Sequence, residues 1–193
     1  RDIRIAIKGE IMQKYSLDRA ETVLFIVDLQ DRLLRVMKYK DQVTRNNVTL
    51  IETAKEMGFP VVATEQYPQG LGRTVPELLE LLDEEKIFSK NCFTAYTDEV
   101  KEELAALGKK KVLLTGAETH ICVFQTARDL LANGYEVFLI KDAVTSRSTE
   151  NWRNGLNLMQ SMGAVISNTE TALYDLLKVS GTAEFKKLSQ LIK

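Results

Sequence analysis

Cys122 is the residue of this sequence best placed for nucleophilic chemistry. It lies in VLLTGAETHICVFQTARDLLANG, residues 112–134, where an apolar run ends at a glycine and a helical pattern follows a short polar turn. Thr119 is a plausible N-cap, which would put Cys122 in the first helical turn, where free N–H groups favour a thiolate and lower the thiol pKa. The same N–H groups could hold a developing oxyanion. Because many free cysteines are simply small buried residues, position alone leaves both roles open.

Asp28 and Lys90 are the candidates for the base that a cysteine nucleophile needs. The only histidine, His120, stands two residues before Cys122, and side chains with that spacing do not face each other on a helix. We therefore expect a carboxylate as the base, with a lysine able to hold its charge. Asp28 and Lys90 each end an apolar run, although each alone is compatible with an ordinary cap, loop or solvated position. Cys92 has no helix start behind it, and we interpret it as non-catalytic.

Six short apolar runs rich in β-branched residues predict the strands that position these side chains. They cover residues 22–28, 60–65, 86–90, 111–116, 136–143 and 164–169, and amphipathic stretches that end at glycine separate them. This alternation predicts a three-layer α/β/α sandwich with a six-stranded parallel sheet, Rossmann-like, in a single domain 1–193 with its core at about 20–180. Further helices are expected within 1–20 and 182–193. In such sheets ligands bind beyond the carboxyl ends of the strands, where Asp28, Lys90 and Cys122 would lie.

Several classes of site and partner are disfavoured. The first strand leads into DLQDRLLRV without the G-x-G-x-x-G turn of a dinucleotide site, no phosphate-binding loop is present, and one histidine argues against catalytic zinc, so we expect no cofactor and no metal. A net charge of -1 from 26 basic and 27 acidic residues argues against a nucleic-acid or membrane partner. Two cysteines fit a reducing, cytoplasmic compartment, although a start at Arg1 leaves an upstream targeting segment open.

Five stretches of the chain resemble the isochorismatase-like cysteine hydrolases, a superfamily that includes nicotinamidases and N-carbamoylsarcosine amidase. They are FIVDLQ (25–30), KNCFTAY (90–96), LTGAETHICVFQTARDLLANGYEV (114–137), DAVTSR (142–147) and MGAVISNTET (162–171). A further stretch, ATEQYPQGLGRTVPEL (63–78), is particularly similar to the isochorismatase domain-containing subgroup. The resemblance extends over roughly residues 20 to 180.

The resemblance implies roles for individual residues. Asp28 would be the general base, Lys90 its charged partner and Cys122 the nucleophile. A non-proline cis peptide would join Ala117 and Glu118 and would direct the N–H groups of Glu118 and Cys122 at the substrate oxygen. The substrate would be a small molecule, and relatives are commonly homo-oligomers, so a homo-oligomer is expected here.

Strand-end residues are expected to line the substrate pocket and to favour a small, partly planar amide. They are Gln30, Tyr67, Phe93, Tyr96 and Thr119. The chain lacks the Asp-x-His metal-ligand pattern of metal-dependent nicotinamidases, and it has a cysteine that vinyl-ether-cleaving isochorismatases can lack. We therefore expect a metal-independent hydrolase of C–N bonds that works through a thioester. Two alternatives stay open, namely a non-enzymatic binding or scaffold protein and a vinyl-ether hydrolase without covalent catalysis.

Overall fold

Runs of β-branched and apolar residues form one parallel sheet within residues 12–192, which are the residues that the computed structural model describes. In that part of the chain the sheet has six strands in the order β3-β2-β1-β4-β5-β6. The strands are β1 (Thr22–Val27), β2 (Val61–Gln66), β3 (Ile87–Lys90), β4 (Lys111–Ala117), β5 (Glu136–Thr145) and β6 (Val165–Ser167). Helices cover both faces, so the predicted α/β/α architecture is confirmed. The strand order reverses between β1 and β4, where this kind of sheet opens a crevice at its carboxyl edge.

The described helices follow the strands in the predicted alternation. They are α1 (Asp31–Leu34), α2 (Lys40–Met57), α3 (Pro68–Leu71), α4 (Pro76–Leu79), α5 (Asp98–Leu107), α6 (Phe124–Ala132), α7 (Thr149–Ser161), α8 (Thr169–Leu177) and α9 (Ala183–Leu188). A π-helical turn, Thr119–Val123, precedes α6, and short 3-10 turns occur at Glu84–Lys86 and Ser189–Ile192. The helix expected at 182–193 corresponds to α9 and the last 3-10 turn. The helix expected within 1–20 lies largely outside the described residues.

The central strand β1 shows why the sheet is covered on both faces. Val23, Phe25 and Val27 contribute to the core beneath α5, α6 and α7. Leu24 and Ile26 point to the opposite face and contribute to the core beneath α2, α4, α8 and α9. Because successive strand residues alternate between faces, an almost uninterrupted apolar run is what a doubly covered strand requires.

Glycine ends two of the long helices as the sequence predicts. Gly58 follows α2 with φ 74° and Gly108 follows α5 with φ 61°, both in the left-handed region that glycine adopts without steric cost. At the other end of α5, the Thr97 hydroxyl accepts a hydrogen bond from the Val100 N–H. The two glycines turn the chain into the next strand at the amino edge of the sheet, and the Thr97 cap sets where α5 begins on the carboxyl side. None of the helices within residues 12–192 has both the length and the hydrophobicity needed to span a bilayer.

Gly116 lets β4 approach β1 directly beside the site. Its φ is 126°, and a Cβ there would lie 2.0 Å from the carbonyl oxygen of Val27. We expect Gly116→Ala to lower the free energy of unfolding by about 3 kcal/mol or more, because overpacking adds to backbone strain. Gly134 is the matched control, since its φ is 84° but a Cβ added there would have no atom within 4 Å. Urea unfolding at the same midpoint for Gly116→Ala and Gly134→Ala would contradict this expectation.

Candidate active site

Asp28 and Lys90 form a buried ion pair at the carboxyl edge of the sheet. Asp28 directly follows β1 with φ 53°, and Lys90 is the last residue of β3. The Lys90 Nζ lies 2.6 Å from Asp28 Oδ2, and both side chains are 0% exposed. The Thr64 hydroxyl donates to Asp28 Oδ1 at 2.8 Å. Burial raises the pKa of the Asp28 carboxyl above its ordinary value, and the Lys90 ammonium opposes that rise.

Oxygen acceptors surround the Lys90 ammonium. Besides Asp28, it donates to Gln66 Oε1 at 2.7 Å and to the carbonyl oxygens of Cys92 at 3.2 Å and Phe93 at 3.1 Å. The two carbonyls belong to the loop that directly follows β3. The ammonium is therefore held by a neighbouring strand and by its own loop, which fixes it against the Asp28 carboxylate.

Cys122 completes the group from the π-helical turn after β4. It is 7% exposed. Burial and the nearby Asp28 carboxylate raise the pKa of its thiol, and the Lys90 ammonium and the Glu118 backbone oppose this rise, so the sulfur lies beside both charged groups. The Ala117–Glu118 peptide bond is cis. The structure thus brings together Asp28, Lys90 and Cys122, which lie far apart in the sequence.

The expectation that a helix start lowers the pKa of Cys122 is wrong. Burial, and then the neighbouring Asp28 carboxylate, raise the pKa of the thiol to about 12, and the Lys90 ammonium and the Glu118 N–H oppose this only in part. The predicted N-cap is also displaced, because Glu118 rather than Thr119 occupies the capping position and neither side chain caps the turn. The thiol is therefore protonated at neutral pH and needs a base to become a nucleophile.

This raised pKa gives a direct expectation for the pH dependence of Cys122 alkylation. In a Cys92→Ser background, which removes the exposed thiol, the iodoacetamide rate should rise continuously between about pH 7 and 10, because the thiolate fraction grows about tenfold per pH unit below the pKa. Mass spectrometry of the peptide that contains Cys122 measures the rate. Levelling at or below about pH 8.5, the ordinary thiol value, would show that the thiol is not held in its protonated form.

Two of the predicted substrate contacts have other partners. Gln30 is fully buried, and its amide donates to the carbonyls of Gln66 and Gly72 and accepts from the Gln66 N–H. Its amide therefore ties the end of β1 to β2 and the loop beyond, and its role as a substrate contact stays a prediction. Tyr96 packs edge-on against Tyr135, with ring centroids 6.1 Å apart. Because Tyr135 directly precedes β5, the Tyr96 ring points toward the amino end of the sheet and away from the site.

The other three predicted contacts lie at or near the carboxyl edge. Tyr67 is 54% exposed and Phe93 is 56% exposed. Phe93 lies three residues after Lys90, and the backbone N–H of Tyr67 donates to the Lys90 carbonyl at 2.8 Å. Thr119 is fully buried within the π-helical turn, and its hydroxyl has no hydrogen-bond partner among the described residues. An exposed aromatic rim and an unengaged hydroxyl beside Cys122 are compatible with the substrate role predicted for them.

The sequence reasoning missed Thr64 and Gln66, which contact Asp28 and Lys90 directly. A signal was present, because both belong to the end of β2, the strand between those that carry Asp28 and Lys90. The strand alternation sends Glu65 to the opposite face, where it accepts from the Thr74 N–H and hydroxyl at 2.7 and 2.9 Å. Only the spatial strand order reveals that Thr64 and Gln66 face the pair.

His120 and Glu118 bind groups beyond β5. His120 Nδ1 lies 3.0 Å from the Ser146 hydroxyl, and burial lowers the pKa of its imidazole. The Glu118 carboxylate pairs with the Arg147 side chain at 3.1 Å and accepts from its backbone N–H at 3.0 Å. The structure thus agrees with the argument that His120 is not the base for Cys122, because its imidazole contacts a different segment.

The described residues contain no cluster of three or more His, Cys, Asp or Glu side chains that could hold a metal ion. A cavity of about 250 Å³ lies between α2 and α7, but none of the residues predicted for the site lines it. The buried Asp28–Lys90 ion pair beside Cys122 therefore locates the candidate site better than that cavity does.

Comparisons with known proteins place this chain in a family. The isochorismatase domain model matches residues 22–171. Isochorismatase domain-containing protein 1 of Salmo salar is 37% identical over 175 residues, covering 90% of this chain and 62% of the relative, so the chain spans less than two thirds of that relative's length. The solved structure of the MAR1 ribonuclease of Caenorhabditis elegans is 34% identical, with 92% of each chain covered and a TM-score of 0.87.

A second solved structure matches the fold at lower identity. The YcaC gene product of Escherichia coli, described as an octameric hydrolase of unknown specificity, has a TM-score of 0.86 at 23% identity, covering 91% of this chain and 90% of that one. At this identity the likeness shows the fold alone. The family model and the relatives above 30% identity carry the assignment: the chain belongs to the isochorismatase family.

Proposed function

We propose that this chain is a metal-independent cysteine hydrolase that cleaves the C–N bond of a small amide or carbamoyl compound. The observation that carries the proposal is a buried Asp28–Lys90 ion pair beside the buried, protonated thiol of Cys122. A thiol, a base and a partner for the base are the parts that nucleophilic catalysis at an acyl carbon requires. Membership of a family with a hydrolase fold supports the same reaction class.

The first half of the reaction forms a thioester. Asp28 takes the thiol proton while the Cys122 sulfur bonds to the carbonyl carbon and the carbonyl π electrons move to oxygen. The C–N bond then breaks, Asp28 returns the proton to the departing nitrogen, and an amine or ammonia leaves. A carboxyl whose pKa is raised by burial suits both tasks, because proton transfer is most efficient when the pKa approaches the working pH.

The second half hydrolyses the thioester. Asp28, ionised again, takes a proton from the attacking water, a C–O bond forms, and the sulfur leaves and recovers that proton. The products are a carboxylic acid, or a carbamic acid from a carbamoyl substrate, and the starting enzyme. We assign the negative oxygen of both steps to the backbone N–H groups of Cys122 and Glu118, because the Glu118 backbone already opposes the rise that burial causes in the pKa of the thiol.

Trapping the covalent intermediate tests the proposal. A set of small amides and carbamoyl compounds is screened for ammonia or amine release, and reactions with active compounds are quenched in acid for mass spectrometry. We expect the acyl mass on the peptide that contains Cys122 and not on the peptide that contains Cys92. Turnover without an acylated Cys122 would contradict the covalent mechanism, and the absence of turnover with every compound would favour one of the two alternatives, a binding protein or a vinyl-ether hydrolase.

The relatives suggest two further arms of the same experiment. The Caenorhabditis elegans relative is described as a ribonuclease, so RNA is included as a substrate; the net charge of -1 and the buried thiol support a small molecule rather than a polyanion. The Escherichia coli structure is described as octameric, so the oligomeric state is measured as well; the exposed Tyr67 and Phe93 side chains support self-association of this chain. Light scattering is expected to give a mass of at least twice the 21.8 kDa of one chain, and the mass of a single chain would contradict self-association.

A further inference from the structure

The Thr126 hydroxyl connects the two segments that carry Lys90 and Cys122. Thr126 lies in α6, one turn after the nucleophile, and is 0% exposed. Its Oγ1 donates to the Cys122 carbonyl at 2.6 Å and accepts from the Ala95 N–H at 2.8 Å. One hydroxyl therefore uses its donor and an acceptor lone pair on two different segments.

Ala95 belongs to the loop that holds the lysine. The Lys90 ammonium donates to the carbonyls of Cys92 and Phe93, which lie two and three residues further along the chain. Ala95 lies two residues after Phe93 in the same loop. A continuous path of contacts thus runs from the ammonium through this loop to Thr126 and on to the backbone of Cys122. The Asp28 carboxylate completes this path, because it is paired with the ammonium and lies near enough to the thiol to raise, after burial, its pKa.

We infer that Thr126 is a positioning residue for the proposed reaction, because it holds the nucleophile turn in register with the loop that fixes Lys90. The inference rests on the proposed function. A helical threonine commonly bonds the carbonyl four residues earlier and nothing else. Thr53 of α2 does this, with its buried hydroxyl donating to the Thr49 carbonyl at 2.7 Å. The additional bond from Ala95 distinguishes Thr126 from such a residue.

Thr126→Val tests the inference, because it keeps the shape of the side chain but removes both hydrogen bonds. Thr126→Ser retains the hydroxyl, and Thr53→Val makes the same change at a buried helical site with no second segment attached. All three are made in the Cys92→Ser background, and melting curves establish that each is folded. If Thr126→Val does not fold, Thr126→Ala replaces it, since the smaller side chain leaves room for water at the Ala95 N–H.

We expect Thr126→Val to move the iodoacetamide labelling profile of Cys122 about one pH unit or more toward the ordinary thiol value of about 8.5, because a released turn separates the sulfur from Asp28. With an active substrate, kcat should fall about tenfold to a hundredfold with little change in KM, as for a misplaced reacting group. Thr126→Ser and Thr53→Val should retain the profile and kcat of the parent.

A Thr126→Val profile that coincides with the parent would overturn the inference whatever the turnover assay gives. An equal shift in Thr53→Val would overturn it as well, because the effect would then follow from the loss of any buried hydroxyl. The labelling readout needs no substrate. A failure of the proposed hydrolysis is therefore seen as absent turnover in the parent protein and is not confused with a failure of the role of Thr126.

Discussion

Cys122→Ala is expected to reduce kcat for the hydrolysed amide by at least about a thousandfold, because the step that forms the thioester loses its nucleophile. The substitution removes only one sulfur atom from a site that is 7% exposed, so the fold should persist. Amine release under saturating substrate measures the loss, and a melting curve shows that the protein is folded. Cys122→Ser is expected to be almost as inactive, since an alcohol is a far weaker acid than a thiol.

Cys92→Ala is the matched control for this prediction. Cys92 lies in the loop after β3 and is exposed, and the contact it makes with Lys90 comes from its backbone carbonyl, which alanine retains. Its kcat should therefore remain within about twofold of the parent, as for a surface change away from the reacting atoms. Substantial turnover in Cys122→Ala would rule out covalent catalysis by Cys122 and indicate direct attack by water on the amide.

Lys90→Met is expected to lower the free energy of unfolding by about 3–5 kcal/mol at neutral pH, because it leaves the Asp28 carboxylate buried without its partner. The loss should be smaller in acid. Burial already raises the pKa of Asp28 in the folded protein above its value in the unfolded chain. Because the folded protein then binds a proton more tightly than the unfolded chain, the free energy of unfolding increases as the pH falls through the folded-state pKa. Urea unfolding at pH 7 and at about pH 5 measures both effects.

Two further variants separate the charge effect from the loss of a lysine side chain. Asp28→Asn combined with Lys90→Met removes both charges, and the double variant should be more stable than Lys90→Met alone. Lys101→Met removes a lysine from the exposed pair with Asp98, whose side chains are 46% and 93% exposed, and should leave the free energy of unfolding almost unchanged. If Lys90→Met is no more destabilised than Lys101→Met, the buried pair does not contribute as proposed.

The strands and helices of this chain could be predicted because their signals are local. The apolar run of β1, the glycine after α2 and the glycine after α5 each act on a few neighbouring residues, and the structure has the expected elements at those places. Parallel pairing then follows from the alternation of strands with helices. The same argument places Asp28, Lys90 and Cys122 at one edge of the sheet, since that edge collects whatever follows each strand.

The sequence by itself therefore determined the fold class and the edge of the sheet at which Asp28, Lys90 and Cys122 lie. Only the tertiary structure decided how the surroundings of these residues change their pKa values and which hydrogen bonds they form. It showed that burial raises the pKa of Cys122 where the helix start alone suggested a lower one. It also showed that Gln30 bonds to backbone while Gln66 bonds to Lys90. The physical reason is that burial and hydrogen-bond partners depend on segments far away in the chain, whereas strand and helix signals do not.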